Sequence, residues 1–555
     1  MSPADAFKAG TAAFQAGAFE TALAHLQGLR HPQALNLAAV SAQRLGQADA
    51  AAALFRQATG LAPHDPNTAN NFGHFELAQG RLAEARACFD TALAHAPDLV
   101  AAHIGRAKIH AAEDNWPAAA AAWQAVLTRA PASRVGRYGW ATALLETGQA
   151  EQAVTAFEAL LADGETPELH FMLGRAHQEL NALDRAEACF RAAYTQRPGR
   201  DSLRNLANLY WMQGDRARFD ALVAEAPAGL RTVAVRLMVD CGALEAAGAA
   251  WARAFGTQGE AADGEAWTLK ALMAREAGQG DAVAAAADRA LALSPSDAAA
   301  QDMRIVADLM QGRGEAALRR LAPLREAAPE AQHWLAHESV AHRLLETASP
   351  LLDVNHYVRA YDLVPPPGYA SLDAFNAALG QKLRALHPFS ARPLNQSLRG
   401  NGTQTTRNLL DHEDEVIRAY CAALDAPIRS YLEEIGQDPA HPTGARNQGT
   451  YRFSGMWSVR LTGQGYHEPH IHPAGWISSA YYVQVPDGTD TAPDRAGWIG
   501  FGVPPYQTPQ RLSPLKEIAP RPGRLVLFPS FMWHGTRPIA AGAERMTAPF
   551  DLLPG

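Results

Sequence analysis

The sequence predicts an α + β multidomain protein, with an α-helical repeat array first and a small β-barrel or sandwich with flanking helices after it. Three observations predict this order. Alanine is over-used from the N-terminus to about Glu330, aromatic side chains recur there at a constant step, and short β-type runs separated by Gly and Pro begin at Tyr451. At 555 residues the chain is also too long for one core, so two to four domains are expected.

The repeat array is marked by evenly spaced aromatic residues. The step from Phe55 to Phe89 recurs at Trp123 and again at Phe157, and Phe190 follows one position early. Small residues precede each aromatic and a proline follows most of them, which is typical of a helix, a tight turn, a second helix and a stop. Each pair must stack on the next to bury its remaining face. We expect eight to ten helix pairs, with irregular ones between Gly199 and Gly280, where the register decays.

The best copy, "NTANNFGHFELAQGRLAEARACFDTALAHAPD", resembles the tetratricopeptide repeat at Gly73, Ala85, Phe89, Ala92 and Pro97. The resemblance covers about residues 5–345. It implies an α-solenoid whose concave face holds a peptide or protein partner. The alternative is that the array packs on the C-terminal domain or forms a homodimer.

The C-terminal domain is predicted to begin where the amino-acid composition changes. Alanine thins out near Pro350, and "PPPG" from Pro365 to Gly368 marks an extended connection that no helix can cross. We therefore divide the chain into a repeat domain (1–345), a linker (346–370) and a C-terminal domain (371–555). Two helices, at about 371–386 and 411–435, come before the β-type runs, of which "GMWSVRL" is the first and "RMTAPFDL" the last.

The stretch "GQGYHEPHIHPAGW" holds the candidate metal ligands. In an extended strand His470 and His472 point to the same side, and Glu468 joins them if Pro469 does not break the strand. A further histidine, His534, follows the strand "RLVLFPS" much later in the chain. Such a set leaves open positions for a cosubstrate and O₂ on iron, although zinc accepts the same ligands.

A candidate anchor for a dicarboxylate follows shortly after His534. Arg545 begins the last β-type run, with Thr547 on the same face by the period of two. A guanidinium recognises a carboxylate through two parallel hydrogen bonds, which is what a dicarboxylate cosubstrate needs.

Together, "GQGYHEPHIHP…SAYYVQVP…PGRLVLFPSFMWHGTRP…ERMT" resembles the Fe(II)/2-oxoglutarate dioxygenases, in particular bacterial oxygenases with His-x-His-Pro that follow tetratricopeptide repeats. The resemblance implies a double-stranded β-helix, or jelly roll, that uses Fe(II), 2-oxoglutarate and O₂. By position, His470 and His534 match iron ligands, and Arg545 matches the partner of the far 2-oxoglutarate carboxylate. Thr547 and Tyr482 match hydroxyl groups that accompany that arginine or contact the cosubstrate.

His472 departs from the wider superfamily, which has a ligand Asp at this position. Three interpretations stay open: His472 is a third neutral ligand, it lies behind a site in which two histidines bind alone or Glu468 supplies a carboxylate, or the pocket binds without turnover. Under the first, His470, His472, His534 and Arg545 carry the catalysis.

The predicted function is hydroxylation of a side chain of a peptide or protein held by the repeats. The alternatives are a three-histidine cupin-type dioxygenase that does not use 2-oxoglutarate, and a non-catalytic repeat adaptor. A net charge of −8 gives no basic footprint for nucleic acid. Without a secretion signal or a long apolar run, a cytoplasmic location away from membranes is expected. Four scattered cysteines imply no disulfide framework.

Overall fold

A computed structural model describes residues 1–259, 261–394 and 396–555, and it divides into two compact units, Met1–Leu180 and Asn181–Gly555. The first unit is entirely helical in its regular structure. Its helices are α1 (Pro3–Gln15), α2 (Phe19–Leu26), α3 (Pro32–Arg44), α4 (Ala48–Leu61), α5 (Pro66–Ala78), α6 (Leu82–His95), α7 (Val100–Ala112), α8 (Trp116–Arg129), α9 (Arg134–Glu146), α10 (Ala150–Ala162) and α11 (Pro167–Glu179).

The constant aromatic step has a simple packing reason in this unit. Phe89 of α6 is fully buried, and it packs where Gly73 of α5 and Gly105 of α7 come closest to it. A Cβ on Gly73 would lie 2.8 Å from the Phe89 ring, and a Cβ on Gly105 would overlap it. Because the neighbouring helices offer only hydrogen at these points, the aromatic ring fills the groove between them. The predicted combination of small and aromatic residues is confirmed.

The second unit starts with further helices of the same kind. They are α12 (Leu183–Gln196), α13 (Arg200–Met212), α14 (Arg216–Ala224), α15 (Arg231–Asp240), α16 (Leu244–Phe255), α17 (Gly264–Glu276), α18 (Gly280–Leu293), α19 (Ala298–Met310), α20 (Gly314–Ala327) and α21 (Gln332–Leu344). The described part of residues 1–345 thus holds twenty-one helices, enough for ten pairs and a single last one. The predicted irregularity is also present, because α14 and α15 are short and a 3₁₀ turn, Ala228–Leu230, lies between them.

Five helices and three 3₁₀ turns flank the β-structure: α22 (Val354–Tyr357), α23 (Leu372–Ala385), α24 (Glu415–Ala423), α25 (Asp425–Ile435), α26 (Pro442–Ala445), Pro350–Leu352, Leu409–Asp411 and Thr489–Thr491. The helix expected at 371–386 is confirmed. The single helix expected at 411–435 is wrong, since it starts at Glu415 and is interrupted at Leu424. Pro427 explains the interruption, because it has no N–H to donate and its ring clashes with the carbonyl four residues earlier.

Eleven strands within the described residues form two antiparallel sheets: β1 (Arg359–Asp362), β2 (Leu398–Gln404), β3 (Tyr451–Met456), β4 (Val459–His467), β5 (Ile477–Gln484), β6 (Ile499–Phe501), β7 (Lys516–Ile518), β8 (Arg524–Pro529), β9 (His534–Thr536), β10 (Glu544–Thr547) and β11 (Phe550–Pro554). The larger sheet has the order β1-β8-β5-β10-β4-β2, and β11 pairs with both β3 and β5. The smaller sheet has the order β7-β6-β9. Phe528 of the larger sheet and Phe501 of the smaller one meet with ring centroids 5.1 Å apart, in one buried cluster.

Two runs, each predicted as a single strand, contain parts of two strands in the structure. "GMWSVRL" spans the end of β3 and the start of β4, and "RMTAPFDL" spans β10 and β11. Pro549 lies between β10 and β11, where it can give no ladder hydrogen bond. β10 pairs with β4 and β5, whereas β11 pairs with β3 and β5. Part of the stretch predicted as a linker is also sheet, because β1 pairs with β8.

The last repeat helix packs directly on the β-structure of its own unit. On α21, the Nε2–H of His337 donates to the carboxylate of Asp302 (α19) over 2.8 Å, and its Nδ1 is hydrogen-bonded to the hydroxyl of Tyr506 over 2.9 Å. The indole N–H of Trp533 donates to the carbonyl of Ala336 over 3.1 Å. Trp533 is the residue before His534, so a repeat helix supports the chain beside a candidate ligand.

No helix in the described ranges combines the length and the apolar character needed to cross a membrane. The four cysteines, all of them among the described residues, are partly exposed and form no disulfide bond.

Candidate metal centre

The candidate ligands come together through one antiparallel bridge. Strand β4 ends at His467, and Pro469, which has no N–H to donate, then ends the strand pairing. The prediction of a regular strand through His470 is therefore wrong. His470 instead pairs with His534, at the start of β9: its N–H donates to the His534 carbonyl over 2.9 Å, and the reverse bond is 3.0 Å. The N–H of His472 donates to the carbonyl of Ser530 over 3.0 Å. These backbone bonds fix both histidine-bearing segments against each other.

Three imidazole nitrogens converge at this point. The ligand atoms of His470, His472 and His534 all lie within 4.8 Å of one another, and the Nε2 atoms of His470 and His472 are 3.3 Å apart. The Nδ1 atoms face acceptors: the Glu468 carbonyl for His470, at 2.9 Å, and the Met532 carbonyl for His534, at 3.0 Å. Because these acceptors require a proton on Nδ1, each Nε2 presents a lone pair to the shared space.

The electrostatics of this space fit a cation. Burial lowers the pKa of His470 to about 3, with His472 adding to the effect, and burial also holds the pKa of His534 well below its ordinary value. Both rings are therefore neutral at pH 7. The Nε2 atoms of His470 and His472, 3.3 Å apart, are close enough to share one cation or one proton. Three imidazole ligands with open positions suit Fe(II) and also Zn(II).

His472 differs from the other two histidines in its acceptor. Its Nδ1 lies 2.7 Å from both carboxylate oxygens of Asp551, a residue of β11. Asp551 in turn accepts a hydrogen bond of 2.7 Å from the hydroxyl of Ser478, which lies 2.8 Å from the hydroxyl of Ser530. The carboxylate behind His472 is thus held on two sides.

Glu468 lies elsewhere. Its carboxylate forms an ion pair with Arg399 of β2, and only its backbone carbonyl faces the histidines. The structure therefore brings His470, His472 and His534 together and leaves the Glu468 side chain outside the cluster.

Arg545 projects from β10 into a cavity that is also lined by His470, His472 and His534. Only 2% of it is exposed, its Nη1 donates to the Gly497 carbonyl over 2.8 Å, and its Nε has no partner among the described residues. None of the described acidic side chains forms an ion pair with it. Burial lowers its pKa below the ordinary value, partly offset by Tyr482. A buried guanidinium without an anion is costly, so the cavity suits a negatively charged ligand.

Hydroxyl groups accompany this arginine, as the family resemblance implies. The Arg545 guanidinium lies 5.8 Å from the ring centroid of Tyr482, whose buried hydroxyl also lacks a hydrogen-bond partner among the described residues. Thr547, two positions along β10, lines the same cavity. The cavity therefore offers a metal-binding set at one wall and donors for a carboxylate at another.

A larger cleft opens beside the cavity. It has a volume of about 990 Å³ and shares His467, Gly535 and Thr536 with the cavity lined by His470, His472 and His534. Tyr506, the partner of His337 on α21, lines it. A repeat helix thus supports one wall of the space next to the metal centre.

Sequence reasoning missed two features of the site. Asp551 lies 79 residues after His472, in a run interpreted as a single strand with Arg545, so no local spacing connects it to the histidines. The contacts of Tyr506 and Trp533 with α21 have no sequence signal either, because they join positions that are 169 and 197 apart in the chain.

Comparison with protein families agrees with this geometry. Residues 455–551 match a family described as "Putative 2OG-Fe(II) oxygenase", and residues 42–109, 138–201 and 171–229 match tetratricopeptide repeat families. The chain therefore combines tetratricopeptide repeats with a C-terminal domain that matches this oxygenase family. The family implies Fe(II), 2-oxoglutarate and O₂, and such repeats generally mediate protein–protein interactions. No curated protein matches the chain.

Similar solved structures include two tetratricopeptide repeat proteins and a pilus biogenesis factor. PilW, a type IV pilus biogenesis factor, is 20% identical, with 35% of this chain and 94% of PilW covered and a TM-score of 0.33. A tetratricopeptide repeat protein from Parabacteroides merdae is 14% identical, with 50% and 98% covered and a TM-score of 0.35. A thermophilic repeat protein from Thermus thermophilus is 20% identical, with 35% and 99% covered and a TM-score of 0.27.

Proposed function

We propose that the C-terminal domain is an Fe(II)- and 2-oxoglutarate-dependent dioxygenase that hydroxylates a side chain of a peptide or protein recruited by the repeats. One observation carries the proposal: a cluster of three imidazoles and a buried arginine without an anion line the same cavity. The first suits a divalent metal and the second suits a carboxylate, and 2-oxoglutarate needs both.

Each residue has a definite task. His470, His472 and His534 would hold Fe(II) through Nε2, and Arg545 would bind the far carboxylate of 2-oxoglutarate. Tyr482 and Thr547 offer hydroxyl groups to the same ligand. When bound, iron with 2-oxoglutarate and O₂ supplies oxidative decarboxylation to succinate and CO₂ and places one oxygen atom on a C–H bond.

The chain's own contribution is binding, orientation and exclusion of water. Arg545 and His534 are nearly inaccessible, and Phe528 packs on the His534 ring with centroids 4.5 Å apart. Because this wall excludes water, the guanidinium interacts more strongly with an anion than it would in solvent. The substrate would enter through the larger cleft, whose volume accommodates a peptide side chain with its flanking residues.

A peptide substrate is favoured by the support of this cleft. Tyr506 lines it and is hydrogen-bonded to His337 of a repeat helix, so a segment lying along the repeats would pass close to the cleft. A repeat array that fills more than half of the chain would also be oversized for a small metabolite.

Succinate release tests the proposal. The full chain, loaded with Fe(II) without oxygen, would be exposed to O₂ and 2-oxoglutarate, alongside His534→Ala, Arg545→Met and the control Arg460→Met. Arg460 lies on the neighbouring strand β4 and forms an ion pair with Glu544 over 2.6 Å. Succinate from wild type and Arg460→Met, with none from the other two, is the expected result.

Other outcomes separate the alternatives. Iron retained without succinate, even in the presence of peptide libraries, would favour a three-histidine dioxygenase that does not use 2-oxoglutarate. Absence of bound iron would leave a repeat-based binding protein. Where succinate forms, peptides that accelerate it and gain the mass of one oxygen atom would identify the substrate.

A further inference from the structure

The acceptors behind the three histidines are unequal. His470 and His534 face backbone carbonyls, whereas His472 faces the carboxylate of Asp551 at 2.7 Å from both oxygens. His472 is also the residue that stands where related oxygenases have a ligand aspartate. The only charged acceptor in the set is therefore found behind the only ligand that departs from the pattern.

Asp551 is placed as a fixed partner of this histidine. It lies on β11, is largely buried, and accepts a second hydrogen bond from Ser478 over 2.7 Å. Among the described residues no Lys or Arg forms an ion pair with it, so its negative charge is directed at the Nδ1 side of the His472 ring. Gly475 leaves room for the Ser530 hydroxyl beside Ser478, because a Cβ at this position would overlap that hydroxyl.

We propose that Asp551 supplies the negative charge of the missing ligand aspartate, through its hydrogen bond to His472 rather than by binding the metal itself. Two neutral histidines and a ligand carboxylate carry a charge of −1, and three neutral histidines with Asp551 behind them carry the same charge. A carboxylate that accepts from Nδ1 also fixes the tautomer and makes Nε2 a stronger donor to the metal. Asp551 is thus a positioning residue that acts through His472.

The inference rests on the metal-binding part of the proposed function, and its test measures metal affinity rather than turnover. Co(II) would be titrated anaerobically into the full-length metal-free chain and followed by visible absorption. Asp551→Asn, which removes the charge but keeps an acceptor, is expected to weaken Co(II) binding by about 10- to 100-fold. The matched control is Ser478→Ala, which removes a hydrogen bond to Asp551 but leaves its charge, and we expect a change of less than about 3-fold.

A second background separates charge from structure. In His472→Asp a carboxylate takes the ligand position beside Asp551, and two like charges at this distance repel. Adding Asp551→Asn is then expected to strengthen Co(II) binding, the reverse of its effect on wild type. A purely structural role would weaken binding in both backgrounds.

Three results would overturn the inference while wild type binds Co(II): unchanged affinity in Asp551→Asn, weaker binding in both backgrounds, or metal-free Asp551→Asn unfolding far below metal-free wild type. Failure of wild type to bind Co(II) or Fe(II) would instead refute the proposed function itself. The sign reversal, with unfolding temperatures of the metal-free variants close to wild type, would establish the role of Asp551.

Discussion

Arg545→Met is expected to separate ligand binding from folding. The guanidinium is buried, it makes one hydrogen bond to the Gly497 carbonyl, and its Nε has no partner among the described residues. Methionine fills a similar volume without the charge. The variant should therefore lose 2-oxoglutarate and still fold.

The magnitudes follow from the hydrogen bonds involved. A hydrogen bond to a charged group contributes about 1.5–3 kcal/mol, so a two-pronged contact with a carboxylate is worth roughly 3–6 kcal/mol. This corresponds to a loss of about two to four orders of magnitude in 2-oxoglutarate affinity. Without 2-oxoglutarate, losing the Gly497 bond costs about 1 kcal/mol, whereas removing a buried unpaired charge relieves at least as much. The free energy of unfolding should therefore stay equal or rise.

Thermal unfolding with Mn(II) in place of iron measures both quantities. 2-Oxoglutarate would be titrated anaerobically into wild type, Arg545→Met and Arg460→Met, and the rise in unfolding temperature would report binding. Arg460→Met breaks a partly exposed ion pair with Glu544, worth about 0–1 kcal/mol, and should bind 2-oxoglutarate like wild type.

The opposite pattern would refute the reasoning. If Arg545→Met unfolded several kcal/mol more easily but still gained stability from 2-oxoglutarate, the guanidinium would be a structural element of β10. Equal loss of 2-oxoglutarate binding in Arg460→Met would show that the method reports damage to the sheet rather than loss of the anchor.

Three further predictions concern the cosubstrate, the repeats and acid stability. Tyr482→Phe removes a buried hydroxyl without a described partner, so 2-oxoglutarate affinity should fall by about 5- to 10-fold, the equivalent of one neutral hydrogen bond, in the same titration, with stability unchanged. Gly105→Ala forces a methyl group into the Phe89 ring and should cost about 1–3 kcal/mol in denaturant unfolding, whereas Gly60→Ala, in open space on a helix, should cost nothing. Burial alone would raise the pKa of Glu544, but hydrogen bonds from two arginines outweigh it and the pKa is lowered. The stability that the Glu544 carboxylate adds to the folded state is therefore fully present above its unfolded pKa of about 4.3, and it is lost as the pH falls through the lower folded pKa. Glu544→Gln should therefore reduce the loss of unfolding free energy measured between neutral and acidic pH.

Local periodicity explains which parts of the fold could be predicted. The aromatic step at Phe55, Phe89 and Phe157 reflects contacts between adjacent helices, so the repeats are visible in the sequence. The histidines and Arg545 could be found because family resemblance connects them across strands. The break between β10 and β11 could have been inferred from Pro549, but the apolar run around it suggested one strand.

Contacts between distant segments explain what could not be predicted. The partner of His472 lies on β11, and its position depends on the pairing of β11 with both β3 and β5. The geometry of His470 depends on a single bridge to His534 rather than on a regular strand. No regular spacing of residues in the sequence indicates either arrangement, because tertiary packing between distant segments determines both.

The packing of α21 bears on how the repeats could act in catalysis. His337 connects Asp302 of one repeat helix to Tyr506 in the wall of the cleft, and Trp533 connects α21 to the chain beside His534. The side chains of His337, Tyr506 and Trp533 are nearly fully buried. A repeat domain that only tethered a substrate would need no such contacts with the cleft. Since α21 supports both the cleft wall and the segment that carries His534, under the proposed function a substrate that shifted the last repeat helices would also shift the histidine cluster, and the repeats would then select the substrate as well as recruit it.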